Sequence, residues 1–150
     1  MREAMTITDT LSPIDRILDD FAFLDDWDDR YRYLIELGRA LEPLAPEAHN
    51  EANRVQGCAS QVWLQKDVRQ EADGPHLDFR GDSDAMIVRG LVAIVIALFS
   101  GRQAGEILET DAEAVFEKIG LREHLTAQRS NGLRSMVNRI KTEAAAAAAA

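Results

Sequence analysis

Residues 85–99 (AMIVRGLVAIVIALF) constrain the fold most strongly, because this segment is apolar on almost every side of a helix. A helix that is hydrophobic all round is stable in water only when other elements surround it. Its longest uninterrupted apolar run, residues 91–99, is far too short to span a bilayer. Ser83 suits the N-cap of this helix, with Asp84 in its first turn. The pattern predicts a buried central helix, with close packing against Gly90.

Shorter amphipathic helices are predicted on both sides of the central one. Ser12 and Pro13 suit the N-cap and first position of a helix. The acidic residues 25–29 end that helix and begin the next, where the helix dipole favours their carboxylates. Beyond the central helix, residues 112–119 predict a short helix closed by Gly120. The last helix is predicted from four apolar residues at helical spacing: Leu133, Met136, Val137 and Ile140.

The middle of the chain has the alternating pattern of β-structure. Residues 60–68 predict a strand, residues 73–75 (DGP) a turn, and residues 76–80 a second, antiparallel strand. Residues 42–56 contain prolines and no sustained apolar period, so we expect an irregular connection that is also the source of any third strand. Helices, a hairpin and further helices predict an α+β fold, in which helices cover one face of a small antiparallel sheet.

The length of 150 residues fits one domain. We expect a flexible tail at residues 1–11, the domain at residues 12–143 and a low-complexity polyalanine tail at residues 144–150. The net charge of −9 disfavours nucleic-acid and anionic-membrane partners. A single cysteine cannot form an internal disulfide, and no apolar segment of signal-peptide length follows the N-terminus. A cytoplasmic protein is therefore expected.

The single cysteine, Cys58, lies between Gly57 and the predicted strand. Glycine tolerates a positive φ and so suits a sharp bend that projects its neighbour. The order of residues predicts a thiol at the tip of a loop. A lone cysteine in a soluble protein is more often a small buried hydrophobic residue, by roughly two to one. Composition and spacing alone leave both interpretations open.

Other kinds of chemistry find little support in the sequence. The candidate metal ligands are Cys58, His49, His76 and His124, which lie far apart and include no His-x-x-x-His pair. The glycine-containing residues 101–105 lack the ending of a phosphate-binding loop and follow a helix. No Gly-x-Ser-x-Gly motif of a serine hydrolase is present. The sequence predicts no metal and no cofactor, which leaves thiol chemistry.

Four segments of the chain carry a resemblance to a known family. They are residues 55–64 (VQGCASQVWL), 28–38 (DDRYRYLIELG), 81–91 (GDSDAMIVRGL) and 129–133 (RSNGL). Together they resemble the SufE sulfur-acceptor proteins, which activate cysteine desulfurases, and the resemblance extends from about residue 14 to 141. Ala59 departs from the pattern, since family members often carry a larger polar residue there. The resemblance implies the SufE/NifU-like form of the α+β fold.

The resemblance also implies a function and its partners. Cys58 would take persulfide sulfur from a SufS-like cysteine desulfurase, stimulate that enzyme and deliver the sulfur to a SufBCD-like scaffold for iron–sulfur cluster assembly. The pyridoxal phosphate would belong to the desulfurase, so this chain is expected to be a sulfur acceptor and not an enzyme in its own right. The transfer resembles thiol–disulfide exchange, which needs an accessible thiolate.

A further site residue, Arg129, follows from the same resemblance, which places the segment containing it near the cysteine loop. Arg129 is the expected cation that supports the Cys58 thiolate and lowers its pKa, although a solvated arginine near the last helix is the plain alternative. Gly57, Ser60 and Gln61 are expected to shape the loop, the last two through hydrogen bonds to backbone. The resemblance implies a loop that shelters Cys58 at rest and moves outward on the partner.

Two functions from other classes remain. A one-cysteine redox sensor or peroxide-reactive protein would need a proton-handling pocket and a resolving thiol from another chain. A non-catalytic adaptor would keep Cys58 as a core residue. Substitution of Cys58 by serine separates these alternatives, because only the acceptor loses desulfurase stimulation while its fold is retained.

Overall fold

The computed structural model describes residues 12–150, apart from the side chain of Arg122. The tail expected at residues 1–11 lies outside the described residues. Within the described range, the elements follow the predicted order of helices, hairpin and helices. They are α1 (Pro13–Phe23), α2 (Trp27–Ala40), β1 (Val62–Glu71), β2 (Gly74–Ser83), α3 (Met86–Phe99), β3 (Arg102–Gln103), α4 (Ala104–Glu109), α5 (Ala112–Ile119), α6 (Leu121–His124) and α7 (Ala127–Ala149).

The first two helices begin at the predicted places. The Ser12 side chain caps α1 by accepting a hydrogen bond from the Asp15 amide at 3.3 Å. In the acidic segment, the Asp26 carboxylate accepts from the Asp28 amide at 2.8 Å and caps α2. Gly120 closes α5 in the left-handed conformation, as the sequence predicts.

The sheet is antiparallel, with the strand order β1-β2-β3. Its hairpin is longer than predicted. β1 begins at Val62 instead of residue 60 but continues to Glu71 instead of residue 68, and β2 extends from Gly74, within the expected turn, to Ser83 instead of residue 80. The third strand, β3, follows the central helix, so its expected source in residues 42–56 is wrong. That stretch contributes one isolated bridge, between Arg54 and Trp63, and a short 3₁₀ turn at Pro46–Ala48.

The central helix α3 is buried as predicted, and glycine contacts set its distance from α2. A Cβ at Gly90 would lie 2.2 Å from the Leu34 carbonyl oxygen, so the backbones of α3 and α2 approach more closely than any side chain allows. The predicted N-cap is wrong. Ala85 occupies the cap position without a side-chain hydrogen bond, while Ser83 Oγ accepts from the Ala85 amide at 3.2 Å.

Helices cover one face of the sheet, which confirms the predicted α+β fold. Alternate strand residues are buried against them, at Val62, Leu64, Leu77 and Phe79. The alanine-rich residues continue α7 as far as Ala149.

Candidate functional site

Cys58 lies in a short loop that backbone hydrogen bonds close at its base. The Val55 amide donates to the Val62 carbonyl at 2.8 Å, and the Leu64 amide donates to the Asn53 carbonyl at 2.8 Å. Residues 53–55 therefore pair with the start of β1. Residues 56–61 form the loop between these paired segments, as the order of Gly57, Cys58 and the strand predicts.

Gly57 adopts a φ of 87°, a conformation that favours glycine. It also lies against α7: a Cβ at this position would be 2.6 Å from Ser135 Oγ. Gly57 thus provides both a bend and a close approach to the helix, which brings the next residue over α7.

The Cys58 side chain is half-buried against α7. Its Sγ lies 3.6 Å from the Gly132 carbonyl oxygen, to which the thiol donates a weak hydrogen bond. A pocket of about 210 Å³ opens beside the sulfur. Its lining combines apolar and polar side chains: Cys58, Ala59, Ser60, Val88, Leu91, Thr126, Gln128, Arg129, Gly132 and Met136.

The pKa of the resting Cys58 thiol is shifted in the direction opposite to the expected one. Burial raises the pKa of the Cys58 thiol, because a thiolate is poorly solvated there. Arg129 lies in the first turn of α7 and lines the same pocket, where its amide donates to Thr126 Oγ1 at 3.2 Å. The expected lowering of the cysteine pKa is therefore absent in this arrangement. The sulfur faces a carbonyl oxygen, which favours the neutral thiol.

The loop is held by Asp84, which directly follows β2, whereas the sequence predicts Asp84 in the first turn of the central helix. The Gln61 amide donates to Asp84 Oδ1 at 3.0 Å, and the Asp84 amide donates to the Gln61 carbonyl at 3.3 Å. Gln61 thus makes these contacts through its backbone, whereas the sequence suggested its side chain. Ser60 lines the pocket beside Cys58.

A second connection, through His49, holds the chain before the loop. His49 Nε2 lies 2.7 Å from Asp82 Oδ2, and His49 Nδ1 lies 3.0 Å from the Ala45 carbonyl oxygen. Both ring nitrogens face acceptors, so the doubly protonated ring satisfies both contacts. The Trp63 ring packs edge-on against His49 with 4.7 Å between ring centroids. Nothing in the sequence beyond the presence of a histidine predicts this pairing.

The described residues contain no group of three or more histidine, cysteine, aspartate or glutamate side chains arranged to hold a metal ion. Among the same residues, no helix is long and apolar enough to cross a membrane.

The sequence of this chain matches the SufE family, described as an Fe-S metabolism associated domain, over residues 15–144. The chain belongs to this family. The match includes Cys58, its loop and α7 as far as residue 144, so the residues that line the pocket lie inside the family domain.

Two curated relatives and one solved structure are also similar to this chain. An uncharacterized SufE-like protein of Rhizobium etli is 59% identical over 140 residues, which cover 93% of this chain and 95% of that protein. One from Rhizobium meliloti is 58% identical over 134 residues, covering 89% and 96%. The solution structure of a hypothetical protein from Thermus thermophilus has a TM-score of 0.72 and covers 92% of this chain and 97% of its own, at 21% identity. The last similarity shows the fold alone. The assignment to iron–sulfur metabolism comes from the family match.

Proposed function

We propose that this protein is a sulfur acceptor, which takes persulfide sulfur from a cysteine desulfurase onto Cys58 and delivers it for iron–sulfur cluster assembly. The observation that carries this proposal is the position of Cys58 in a short loop whose base is held by backbone hydrogen bonds and whose sulfur is held by one weak contact. Such a loop can change its exposure without disturbing the fold.

The transfer step balances without any added oxidant or reductant. The Cys58 thiolate attacks the outer sulfur of the partner's persulfide, and a new sulfur–sulfur bond forms as the old one breaks. The partner's cysteine leaves as a thiolate, and Cys58 becomes the persulfide. A second exchange of the same kind passes the sulfur to a thiol of a cluster scaffold. Pyridoxal phosphate remains with a SufS-like desulfurase throughout, and a SufBCD-like scaffold is the recipient.

Burial of Cys58 fits a carrier that must be protected between encounters. A raised pKa keeps the thiol neutral and slows its reaction with oxidants. Docking on the desulfurase would move residues 56–60 outward, which returns the sulfur to water and lowers its pKa toward the ordinary value. Arg129 lines the same pocket as Cys58, and we expect it to accompany the thiolate as it forms. The raised resting pKa disfavours the peroxide-sensor alternative, which depends on an exposed thiolate.

Desulfurase turnover tests the proposal. The wild-type protein is expected to stimulate sulfide release by a SufS-like enzyme, and Cys58→Ser is expected to abolish the stimulation while its circular dichroism and unfolding midpoint are retained. Stimulation by the serine variant would support an adaptor instead. Faster reaction of Cys58 with peroxide than with enzyme-bound persulfide would support a sensor.

A further inference from the structure

Arg139 of α7 holds the base of the cysteine loop through main-chain carbonyls. Its Nη1 donates to the Arg54 carbonyl at 3.0 Å, and its Nη2 donates to the Ala52 carbonyl. These contacts join parts of the chain that are 85 and 87 residues apart in sequence. One planar guanidinium thus fixes two carbonyls immediately before the loop.

The guanidinium is itself held in place by Glu143, one helical turn further along α7. Arg139 Nε donates to Glu143 Oε1 at 3.1 Å, and the same carboxylate pairs with Lys66 of β1. Burial alone would raise the pKa of Glu143, but hydrogen bonds from Lys66 and Arg139 outweigh it and lower the pKa overall. The side chains of Arg139 and Glu143 are only 26% and 21% exposed, so their ion pair is screened less than one on the surface.

One face of α7 therefore contacts both the tip and the base of the cysteine loop, and the contacts at the base are stronger than those at the tip. Gly132 and Ser135 meet the tip, where the Cys58 thiol makes a contact of 3.6 Å. Arg139 follows at helical spacing and holds the base with charge-assisted hydrogen bonds, which are roughly twice as strong as neutral ones, and Glu143 in turn holds Arg139. The strong contacts therefore lie at the base, which must stay in place, and the weak contact lies at the tip, which must move.

We propose that Arg139 is a positioning residue for sulfur transfer, which fixes the carbonyls of Ala52 and Arg54 on α7 so that movement on docking is confined to residues 56–60. This inference rests on the proposed function for its purpose. We call the hydrogen bonds from Arg139 to the Ala52 and Arg54 carbonyls the clamp. The clamp is present in the free protein, so it can be tested without a partner.

Alkylation of Cys58 by iodoacetamide in the isolated protein measures how often the loop opens. Removing the charge in Arg139→Gln is expected to raise the alkylation rate roughly three- to tenfold, because the base then opens together with the tip. Arg139→Lys keeps the charge but not the planar fork of the guanidinium. Its alkylation rate is therefore expected to lie between those of the wild type and Arg139→Gln. A rate in Arg139→Gln equal to that of the wild type overturns the proposal.

Two controls separate positioning from general loss of stability. Arg134→Gln removes an exposed arginine from another face of α7, where it lines a different pocket, and is expected to leave the rate unchanged. Ile17→Val weakens the core in α1 and is also expected to leave the rate unchanged at equal fraction folded. An equal rise in Ile17→Val would show that the rate reports stability alone and would overturn the proposal.

Hydrogen exchange of the wild-type protein keeps the inference testable if Arg139→Gln does not fold. The Val55 and Leu64 amides at the base are expected to exchange at least about tenfold more slowly than those of residues 57–60. Equal exchange at base and tip contradicts the clamp.

A measurement with the partner then tests the purpose of the clamp. In desulfurase assays, Arg139→Gln is expected to need several-fold more protein for half-maximal stimulation, with little change in the maximal rate, because Cys58 itself is intact. An unchanged half-saturation point with a lower maximal rate would contradict a positioning role. Failure of the wild-type protein to accept any sulfur would refute the proposed function, yet leave the alkylation and exchange results as valid tests of the clamp.

Discussion

The thiol of Cys58 lies 3.6 Å from the carbonyl oxygen of Gly132, and a Cβ added at Gly132 would lie 3.5 Å from the same sulfur. The resting cysteine is thus packed on the backbone of α7, where the helix has no side chain. This contact is weak enough to break, and it holds the sulfur where burial favours the protonated form.

The pH dependence of Cys58 alkylation follows from this contact. The pKa of the thiol is raised by burial, so the alkylation midpoint of the folded protein is expected to lie above the ordinary cysteine value of about 8.5. A raised thiol pKa also means that the unfolded or opened chain loses its proton first. The resting loop is therefore expected to be fully stable below the ordinary value and to weaken as the pH rises above it.

The measurement is the alkylation rate against pH for the native protein and for the protein in denaturant. A native midpoint at or below the denatured one would contradict a sheltered thiol. Addition of a desulfurase in which the catalytic cysteine is replaced by alanine is expected to move the native midpoint downward.

The contact of His49 with Asp82 predicts a separate dependence of stability on pH. The hydrogen bond to Asp82 raises the pKa of His49 above its ordinary value of about 6.5. The stabilisation is fully present below that value and is lost as the pH rises through the folded-state pKa. His76 has a raised pKa as well, from its bond to Asp73 and to the Gly101 carbonyl.

Urea unfolding at a series of pH values checks this prediction. The wild type is expected to lose stability as the pH rises above about 6.5, and His49→Gln is expected to lose less stability over the same rise in pH. His76→Gln is the matched control, since it removes the second raised pKa and leaves the His49 contribution in place. An identical slope in wild type and His49→Gln would show that the pairing with Asp82 does not contribute.

Gly57 and Gly101 form a matched pair for testing the loop. Both have a positive φ, of 87° and 81°. A Cβ at Gly57 would meet Ser135 Oγ at 2.6 Å, whereas one at Gly101 would meet nothing closer than 3.8 Å. Alanine at either position is expected to cost about 1–2 kcal/mol for backbone strain. Only Gly57→Ala is expected to raise the alkylation rate of Cys58, because only it displaces the loop from α7.

Unfolding midpoints and alkylation rates of the two variants provide the test. Equal alkylation in Gly57→Ala and wild type would show that the loop does not depend on its contact with Ser135.

Gly90 and Gly132 test the helix packing in the same way. A Cβ at Gly90 would lie 2.2 Å from a backbone oxygen of α2, so Gly90→Ala is expected to destabilise the protein by about 3 kcal/mol or more. A Cβ at Gly132 would make only ordinary contacts, so Gly132→Ala is expected to gain up to about 1 kcal/mol from helix propensity. Thermal unfolding of both variants checks the contrast. Equal stability of the two would contradict the close approach of α3 and α2.

Much of the fold follows from local patterns, which is why the sequence predicts it. The apolar segment around α3 can be stable only when buried, and the caps at Ser12 and Asp26 act within a few residues. The sequence wrongly predicts Ser83 as the N-cap of α3 and Asp84 in its first turn, because a tertiary contact prevails there. The Asp84 carboxylate accepts a hydrogen bond from the Gln61 amide of the cysteine loop. Local propensity carries no information about such a partner.

The candidate site divides in the same way. Cys58 and Gly57 are visible in the sequence because a lone cysteine follows a glycine and precedes a strand. The role of Arg139 is not visible in the sequence, because it looks like one of several arginines on an amphipathic helix. Its partners are carbonyl oxygens far away in the chain. The raised pKa of Cys58 was equally hidden, because it depends on how deeply α7 and the loop bury the sulfur.

The most direct test of sulfur acceptance is the mass of the Cys58 peptide. The protein is incubated with a cysteine desulfurase and cysteine, remaining thiols are alkylated, and the peptide is identified by mass spectrometry. One added sulfur atom on Cys58 is the predicted result, with none in the reaction that lacks cysteine. A Cys58 peptide that stays unmodified while the desulfurase turns over would contradict the account.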